Sequence, residues 1–272
     1  MNWRAIRAIV RKDLKVVLQN KGVSIPLIIV PVVFMVILPG LAALAPLLED
    51  TPGGPLAEMQ GFLKNMPQGM RDTIAGYDEI QTVVVLALVY FLAPMYLILP
   101  LMVASVIAAD SFAGEKERKT MEALLYTPTT DLELFVAKLL SAWLPAIAVS
   151  WGGFVLYSVV ANVAAWPVMG RLFFPNLMWV VLALWVAPAV AGVGLGFTVI
   201  VSARAETFQE AYQLGAVVVL PILLLVVGQA TGVLYFNGAL VLLLGLAFWL
   251  VDAGLLWFGG RTFRRSEMAT RI

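Results

Sequence analysis

Long apolar runs separated by polar connections dominate the chain. Six reach the length of interest: Val23–Leu48, Val83–Ala109, Ala137–Ala165, Leu177–Val201, Gln213–Leu234 and Ala239–Phe258. An α-helix needs about 20 residues to cross ~30 Å of hydrocarbon. The runs are unbroken rather than alternating, which excludes the strands of a membrane barrel. Helices satisfy every backbone polar group within their own segment, as lipid demands. The pattern predicts an all-α membrane protein with six transmembrane helices over residues 23–258, preceded by an amphipathic segment (1–22) and followed by a basic tail (259–272).

Between Asn2 and Asn20, Trp3, Ile6, Val10, Leu14 and Val17 recur at steps of three and four. Arg4, Arg7, Arg11 and Lys15 follow the same rhythm. At about 100° per residue this is a helix with an apolar stripe beside a basic one. Such a helix suits the headgroup plane, its cations near anionic lipid. Packing against protein is the plainer alternative, and a calmodulin-type target a remote third. The longest connection, residues 49–81, repeats Leu56, Met59, Phe62, Leu63, Met66, Met70, Ile74 and Tyr77 at helical spacing, with Pro67 suited to start a second helix. Two amphipathic helices on the outer surface are expected there. Apolar packing explains the methionines more simply than a soft-metal site, since no other soft ligand accompanies them.

The connection 110–133 is the most structured. Glu115 and Lys119 stand at i,i+4 in the favourable order. Met121, Leu124 and Leu125 make one apolar face, with Glu117, Arg118 and Glu122 elsewhere. Pro128 stops the helix, and Thr130 with Glu133 forms a capping box directly before the third run. Thr207 and Glu210 form another before the fifth. A helix–corner–span unit of this kind can receive a push; a well-capped loop is the alternative.

Composition narrows the chemistry. Of 272 residues 61% are hydrophobic and 13% charged, against about 45–50% and 25% in soluble domains. There is no His and no Cys. That removes thiol nucleophiles, common zinc sites, haem ligands and Ser-His-Asp triads. A net charge of +1 suggests no nucleic-acid partner. The distribution says more. Fifteen Lys and Arg fall on the side of the termini and the second-to-third connection, and three on the other. This predicts that both termini are cytoplasmic. A cleaved signal peptide is the competing reading of the start, but the first apolar run exceeds a signal's usual ~7–15 residues.

Within the runs the one acid is Asp252, placed to reach the interface or pair with Arg261 or Arg264. Prolines interrupt every run but the last. Gly192 and Gly196 form a small-xxx-small pair for close helix approach, not a dinucleotide fingerprint. No phosphate-binding G-x-x-x-x-G-K-[ST] occurs, so no cofactor is expected on this chain. Three functions compete: a membrane-embedded enzyme, poorly served without His, Cys or intramembrane carboxylate pairs; an ion-gradient-driven carrier, short of buried ionisable groups; and the membrane subunit of a complex powered by another protein.

The stretch Phe112-Ala-Gly-Glu-Lys-Glu-Arg-Lys-Thr120-Met-Glu122-Ala-Leu124-Leu125-Tyr-Thr127-Pro128, followed by Glu133-Leu and Lys138-Leu-Leu, resembles the signature of type-2 ATP-binding-cassette exporter permeases, above all the branch that includes sodium-efflux permeases. The sequence departs from that pattern at Lys119, where glycine is usual. The resemblance implies a permease that pairs with a second permease, as a homodimer or with a similar partner, and with separate cytoplasmic ATPase subunits that bind ATP and Mg. It implies a coupling element made or positioned by Glu115, Glu117, Arg118, Thr120, Glu122, Leu124, Leu125 and Pro128. It also implies an interfacial helix carrying Trp3, Arg4, Arg7, Arg11 and Lys15, a dimer contact on the first and fifth spans, and a place in the cell inner membrane. The re-entrant pair that many relatives carry between the fifth and sixth spans has no counterpart here. The wall of apolar side chains leaves the substrate open, with a lean toward amphiphilic or hydrophobic cargo.

Overall fold

A computed structural model of the chain describes residues 2–44, 46, 66, 68–120 and 129–262. Among them every regular element is helical. Helix α1 (Trp3–Gln19) and a brief α3 (Gln68–Ile74) accompany six long helices: α2 (Lys21–Leu44), α4 (Glu79–Glu117), α5 (Asp131–Met169), α6 (Leu177–Ser202), α7 (Phe208–Ala230) and α8 (Gly238–Thr262). These six are long and apolar enough to cross a membrane. Of the expected coupling residues, Glu122, Leu124, Leu125 and Pro128 lie outside the described residues, as do most of the 49–81 connection and the tail beyond 262.

Two helices outrun their apolar stretches. α4 and α5 each have 39 residues. At 1.5 Å per residue that is about 58 Å, nearly twice the hydrocarbon thickness. α4 starts at Glu79 rather than Val83 because Asp78 and Gln81 form a capping box. It continues to Glu117 because nothing in Asp110–Glu117 stops a helix. The first part of the 110–133 connection is therefore an overhang of α4 rather than a separate element. α5 starts where predicted: Thr130 Oγ1 accepts from Glu133 N at 3.2 Å, and Glu133 Oε2 accepts from Thr130 N at 3.0 Å. At α7 only half the predicted box forms. Thr207 accepts from Glu210 N, while the Glu210 carboxylate turns to Glu206 N.

The helices are buried unequally. The apolar windows of α4 and α6 are 72% buried, that of α5 44%, and those of α2, α7 and α8 17–22%. α4 and α6 therefore form the centre. α8 packs on α6, and α5 packs on α4 while carrying α1 and α2. The outer helices present Ile28 and Leu41, Leu224 and Val227, Leu243 and Trp257 outward. That much exposed apolar surface suits lipid, not water.

Prolines shape the helices without breaking them. Pro39, Pro94 and Pro188 each follow a stretch wound wider than α: Val33–Ile37, Leu86–Phe91 and Leu182–Val186. Proline gives no N–H to the preceding turn, and a wide turn absorbs the fault. Before Pro94 the loosened carbonyls find side-chain donors. Trp179 Nε1 donates to Val89 O at 2.7 Å, and the Tyr157 hydroxyl to Leu88 O at 2.5 Å. Trp179 is fully buried among Tyr96, Phe154, Tyr157 and Phe174. Nearby, Asn162 Oδ1 accepts from Phe173 N (3.1 Å) and Phe174 N (3.3 Å), and its Nδ2 donates to Phe174 O at 2.6 Å. This neutral clasp joins α4, α5 and α6 at the end where α5 finishes.

The predicted close approach at Gly192 and Gly196 is present, and α8 fills it. A Cβ at Gly192 would lie 2.2 Å from Asp252 Oδ2, and one at Gly196 2.9 Å from Leu255 Cβ. Asp252 is buried in this seam. Of its two expected partners, the Arg261 side chain and the whole of Arg264 lie outside what is described.

Candidate functional site at the charged end of the bundle

Charge gathers where α1, α4 and α5 meet. α1 is rotated from its predicted setting. Its buried side chains are Ile6, Ile9, Asp13 and Val17, while Trp3 is 64% exposed. The inward face meets protein rather than lipid: Ile6 and Ile9 pack on Leu134 and Ala137 of α5. An acid can join that face because Ser141 Oγ donates to Asp13 Oδ2 at 3.0 Å. Arg4, Arg7, Arg11 and Lys15 all face outward.

Glu115 lies at the centre of the meeting point, only 3% exposed. Its Oε1 accepts from Lys12 of α1, and its Oε2 from Lys138 of α5 at 2.6 Å. Lys138, wholly buried, also donates to Ser111 O at 2.5 Å and lies 5.2 Å from the centre of the Phe112 ring. Lys12 reaches Asp13 as well, at 3.1 Å. Burial works against the charge on Lys12. Glu115, and then Asp13, outweigh it and raise the lysine pKa above its ordinary 10.5. The i,i+4 pair expected between Glu115 and Lys119 does not form, because the helix ends first and Glu115 points into the bundle.

A second ionic contact lies one to two turns back along α4. Arg118 Nη1 donates to Asp110 Oδ1 at 2.9 Å, and Asn20 Nδ2 to the same oxygen at 3.2 Å. Asn20 is the single residue between α1 and α2; its side chain accepts from Gly22 N. Asp110 therefore anchors the joint between them. Gly114 stands between the partners. A Cβ there would lie 3.0 Å from Asp110 Oδ1 and 3.1 Å from Arg118 Nη1, so a side chain would push the pair apart. Counting both contacts, Lys12, Arg118 and Lys138 balance Asp13, Asp110 and Glu115. Buried charges are tolerated only when paired and hydrogen-bonded in this way.

The end of α4 is fixed just as closely. Lys119 has φ +56°, the left-handed region that glycine adopts most readily. Lys119 N donates to Lys116 O and Thr120 N to Glu115 O, each at 3.0 Å. This pair of bonds is the Schellman stop of a helix, with Lys119 in the place usually held by glycine. Beyond it, Lys116 Nζ donates to Ala205 O at 3.2 Å, and Glu117 Oε2 accepts from Phe208 N at 2.8 Å. The end of α4 is thereby tied to the corner between α6 and α7.

The coupling residues that are described thus divide. Glu115 is buried in the ion network. Glu117, Arg118 and Thr120 are exposed, with Glu117 holding α7 and Arg118 holding Asp110. Lys12, Asp13, Asn20, Lys138 and Ser141, all outside the connection, complete the site with Asp110 at the connection's start. One signal existed: Asp13 continues the spacing of Ile6 and Ile9 on α1.

Six apolar helices with their charge gathered at the ends define a multi-pass membrane protein. The chain belongs to the ABC-2 family of transporter proteins, whose model matches residues 7–250. It is an ABC permease, a membrane component of transport. No curated protein and no solved structure matches it.

Proposed function

We propose that this permease is the membrane subunit of an ATP-driven exporter. It pairs with a second permease, in the simplest case another copy, and each seats a separate cytoplasmic ABC ATPase that carries ATP and Mg. The charged end and both termini face the cytoplasm, following the Lys and Arg distribution, and the membrane is the cell inner membrane. Among its relatives the chain stands nearest the sodium-efflux branch, on the stretch Phe112–Pro128. Amphiphilic or hydrophobic cargo crosses between the two subunits, with α2 and α7 on the pairing face.

One observation carries this proposal. The described end of the connection, Glu115–Thr120, lies in a network that ties α4 to α1 and α5 and in a corner that ties it to α6 and α7. A push on that segment therefore reaches most of the bundle. In this scheme Glu115 positions the coupling element from within, while Glu117, Glu122, Leu124 and Leu125 make or flank the ATPase contact. Co-expression with a candidate ATPase tests it: changing Glu117 and Glu122 together to Lys should abolish co-purification and stimulated ATP hydrolysis. Unchanged values would reject the coupling assignment. Uphill transport by the purified chain alone would reject the whole scheme.

A gradient-driven carrier is the second reading. Its support is Asp252, a buried acid in the spans whose two oxygens have no hydrogen-bond partner among the described residues. It would require that Asp252→Asn abolish transport while assembly stays normal.

A further inference from the structure

One buried acid takes no part in the charged contacts. Asp252 is 3% exposed, and neither of its carboxyl oxygens has a hydrogen-bond partner among the described residues. Its neighbours offer no counter-ion. α6, the helix on which α8 chiefly packs, has no ionisable residue from Leu177 to Ser202. On α8 itself Asp252 is alone from Gly238 to Gly260. Arg261 stands nine residues on, about two and a half turns along and so on the opposite side of the helix. α5 brings Asp131 and Glu133 in its first turn and Lys138 beyond them. Glu133 caps α5, and Lys138 is committed to Glu115 and Ser111 O. The setting of the acid is nevertheless close-fitting. Its carboxyl lies where a side chain at Gly192 would go: a Cβ there would be 2.2 Å from Oδ2 and 2.8 Å from Oδ1. One turn back on the same face, Trp249 has a buried indole N–H that also lacks a partner among the described residues. The Trp249 ring lies 6.5 Å from that of Trp143 on α5 and 5.9 Å from that of Trp185 on α6. Three tryptophans and one carboxyl thus join α8 to its neighbours.

We infer that Asp252 is a proton-binding site, and that loss of the proton loosens α8 from α6. An ionised carboxylate in this seam is a buried charge without a partner, within a membrane span; a carboxyl so placed takes up a proton instead. A metal ion would need several oxygens, and no three acids gather to share one among the described residues. The close fit against Gly192 selects the smallest ligand. Once the proton leaves, the carboxylate needs a donor, and Trp249 Nε1 is a free one on the same face. Reaching it draws Asp252 off Gly192 and shifts Trp249 against Trp143 and Trp185. α8 has no share in the ionic network or in the corner between α6 and α7, so the seam is its main hold on the bundle. The inference uses the six-span fold and goes beyond both functional readings, since the proton here is held rather than carried.

The test titrates the purified full-length chain in detergent with acid and base, followed by infrared spectroscopy and tryptophan fluorescence. At neutral pH the C=O band of a protonated carboxylic acid is expected, and Asp252→Asn should lack it. Asp252→Ser supplies the same subtraction if the Asn variant folds poorly. Raising the pH should abolish the band and, over the same range, shift the tryptophan emission. Asp252→Asn, a neutral match for the acid, should keep the closed-seam emission through that range. Trp249→Phe should keep the band and lose most of the shift. Four results would overturn the inference: no band from Asp252 at neutral pH, a band that appears only when Arg261 is changed to Gln, loss of the band on adding sodium ions at fixed pH, and loss of the band with no change in emission. An emission shift that persists in a folded Asp252→Asn would do the same. The titration needs neither ATPase nor transport, so the failure of the exporter proposal and the failure of this one can be told apart.

Discussion

At one end of the bundle α1, α4 and α5 are held by six charges, three of each sign, around the buried Glu115. At the other, α4, α5 and α6 are held by Trp179, its aromatic neighbours and the neutral amide of Asn162. The two clasps join some of the same helices by opposite means. The ionic one lies on the overhang of two helices far longer than the hydrocarbon is thick, where water and headgroups are near. The aromatic one takes up carbonyls loosened ahead of Pro94, within an apolar run, where a charge would be costly. Buried charge is concentrated where each group finds an opposite partner and the cluster's outer members reach solvent. A clasp of charges fails when one partner is lost; a clasp of packed rings shares its strength over many contacts.

The largest effect that could break this comparison is at Glu115. Replacing it with Ala leaves Lys138 buried without its carboxylate and should lower stability by about 3–5 kcal/mol, measured by denaturant unfolding in detergent. The joint change Glu115→Leu with Lys138→Met should recover much of that loss, because no uncompensated charge remains. A double variant as poor as the two single changes combined would mean that geometry, not charge, holds this end.

Next comes the seam between the two ends. Gly192→Ala drives a methyl group into Asp252 and should cost about 1–3 kcal/mol, relieved by a second change of Asp252 to Ala. At the neutral clasp, Trp179→Phe keeps most of the ring and removes the donor to Val89 O. A loss of about 1–3 kcal/mol is expected, insensitive to salt. Sensitivity to salt there would erase the contrast with the charged end.

A gain is expected at Lys119. Its left-handed backbone carries a penalty that glycine avoids, so Lys119→Gly should raise stability by about 1 kcal/mol, visible as a higher Tm. The smallest effect concerns pH. The raised pKa of Lys12 means that its contribution is complete below about pH 10.5 and is lost as pH rises through the still higher folded value. The stability gap between the native chain and Lys12→Met should therefore close at strongly alkaline pH, in an unfolding series. The gap is small throughout, because the Lys12 side chain is 41% exposed and solvent screens it.

Much of the fold was legible because partition into lipid depends on local composition. An apolar run of sufficient length becomes a membrane helix whatever its neighbours, and the six runs did so. Caps three residues apart were legible for the same reason, as at Thr130 and Glu133. The half-formed box at Thr207 shows the limit, since the Glu210 carboxylate accepts from Glu206 N instead. The site was less legible. Glu115 reads as an i,i+4 partner of Lys119, yet its ligands are 103 and 23 residues away. Nothing local reports which distant face a helix will meet.

What the amino-acid order alone determined is therefore what lipid and the backbone enforce segment by segment: six spans, their charge asymmetry, and the stretch Phe112–Pro128 that resembles the permease family. Tertiary structure alone decided the rotation of α1, the inward turn of Asp13, the pairing of Lys12 and Lys138 on one carboxylate, and the left-handed stop at Lys119. Those depend on which surfaces pack together. A buried charge takes whatever partner that packing brings within reach, and the packing is settled by the whole bundle at once.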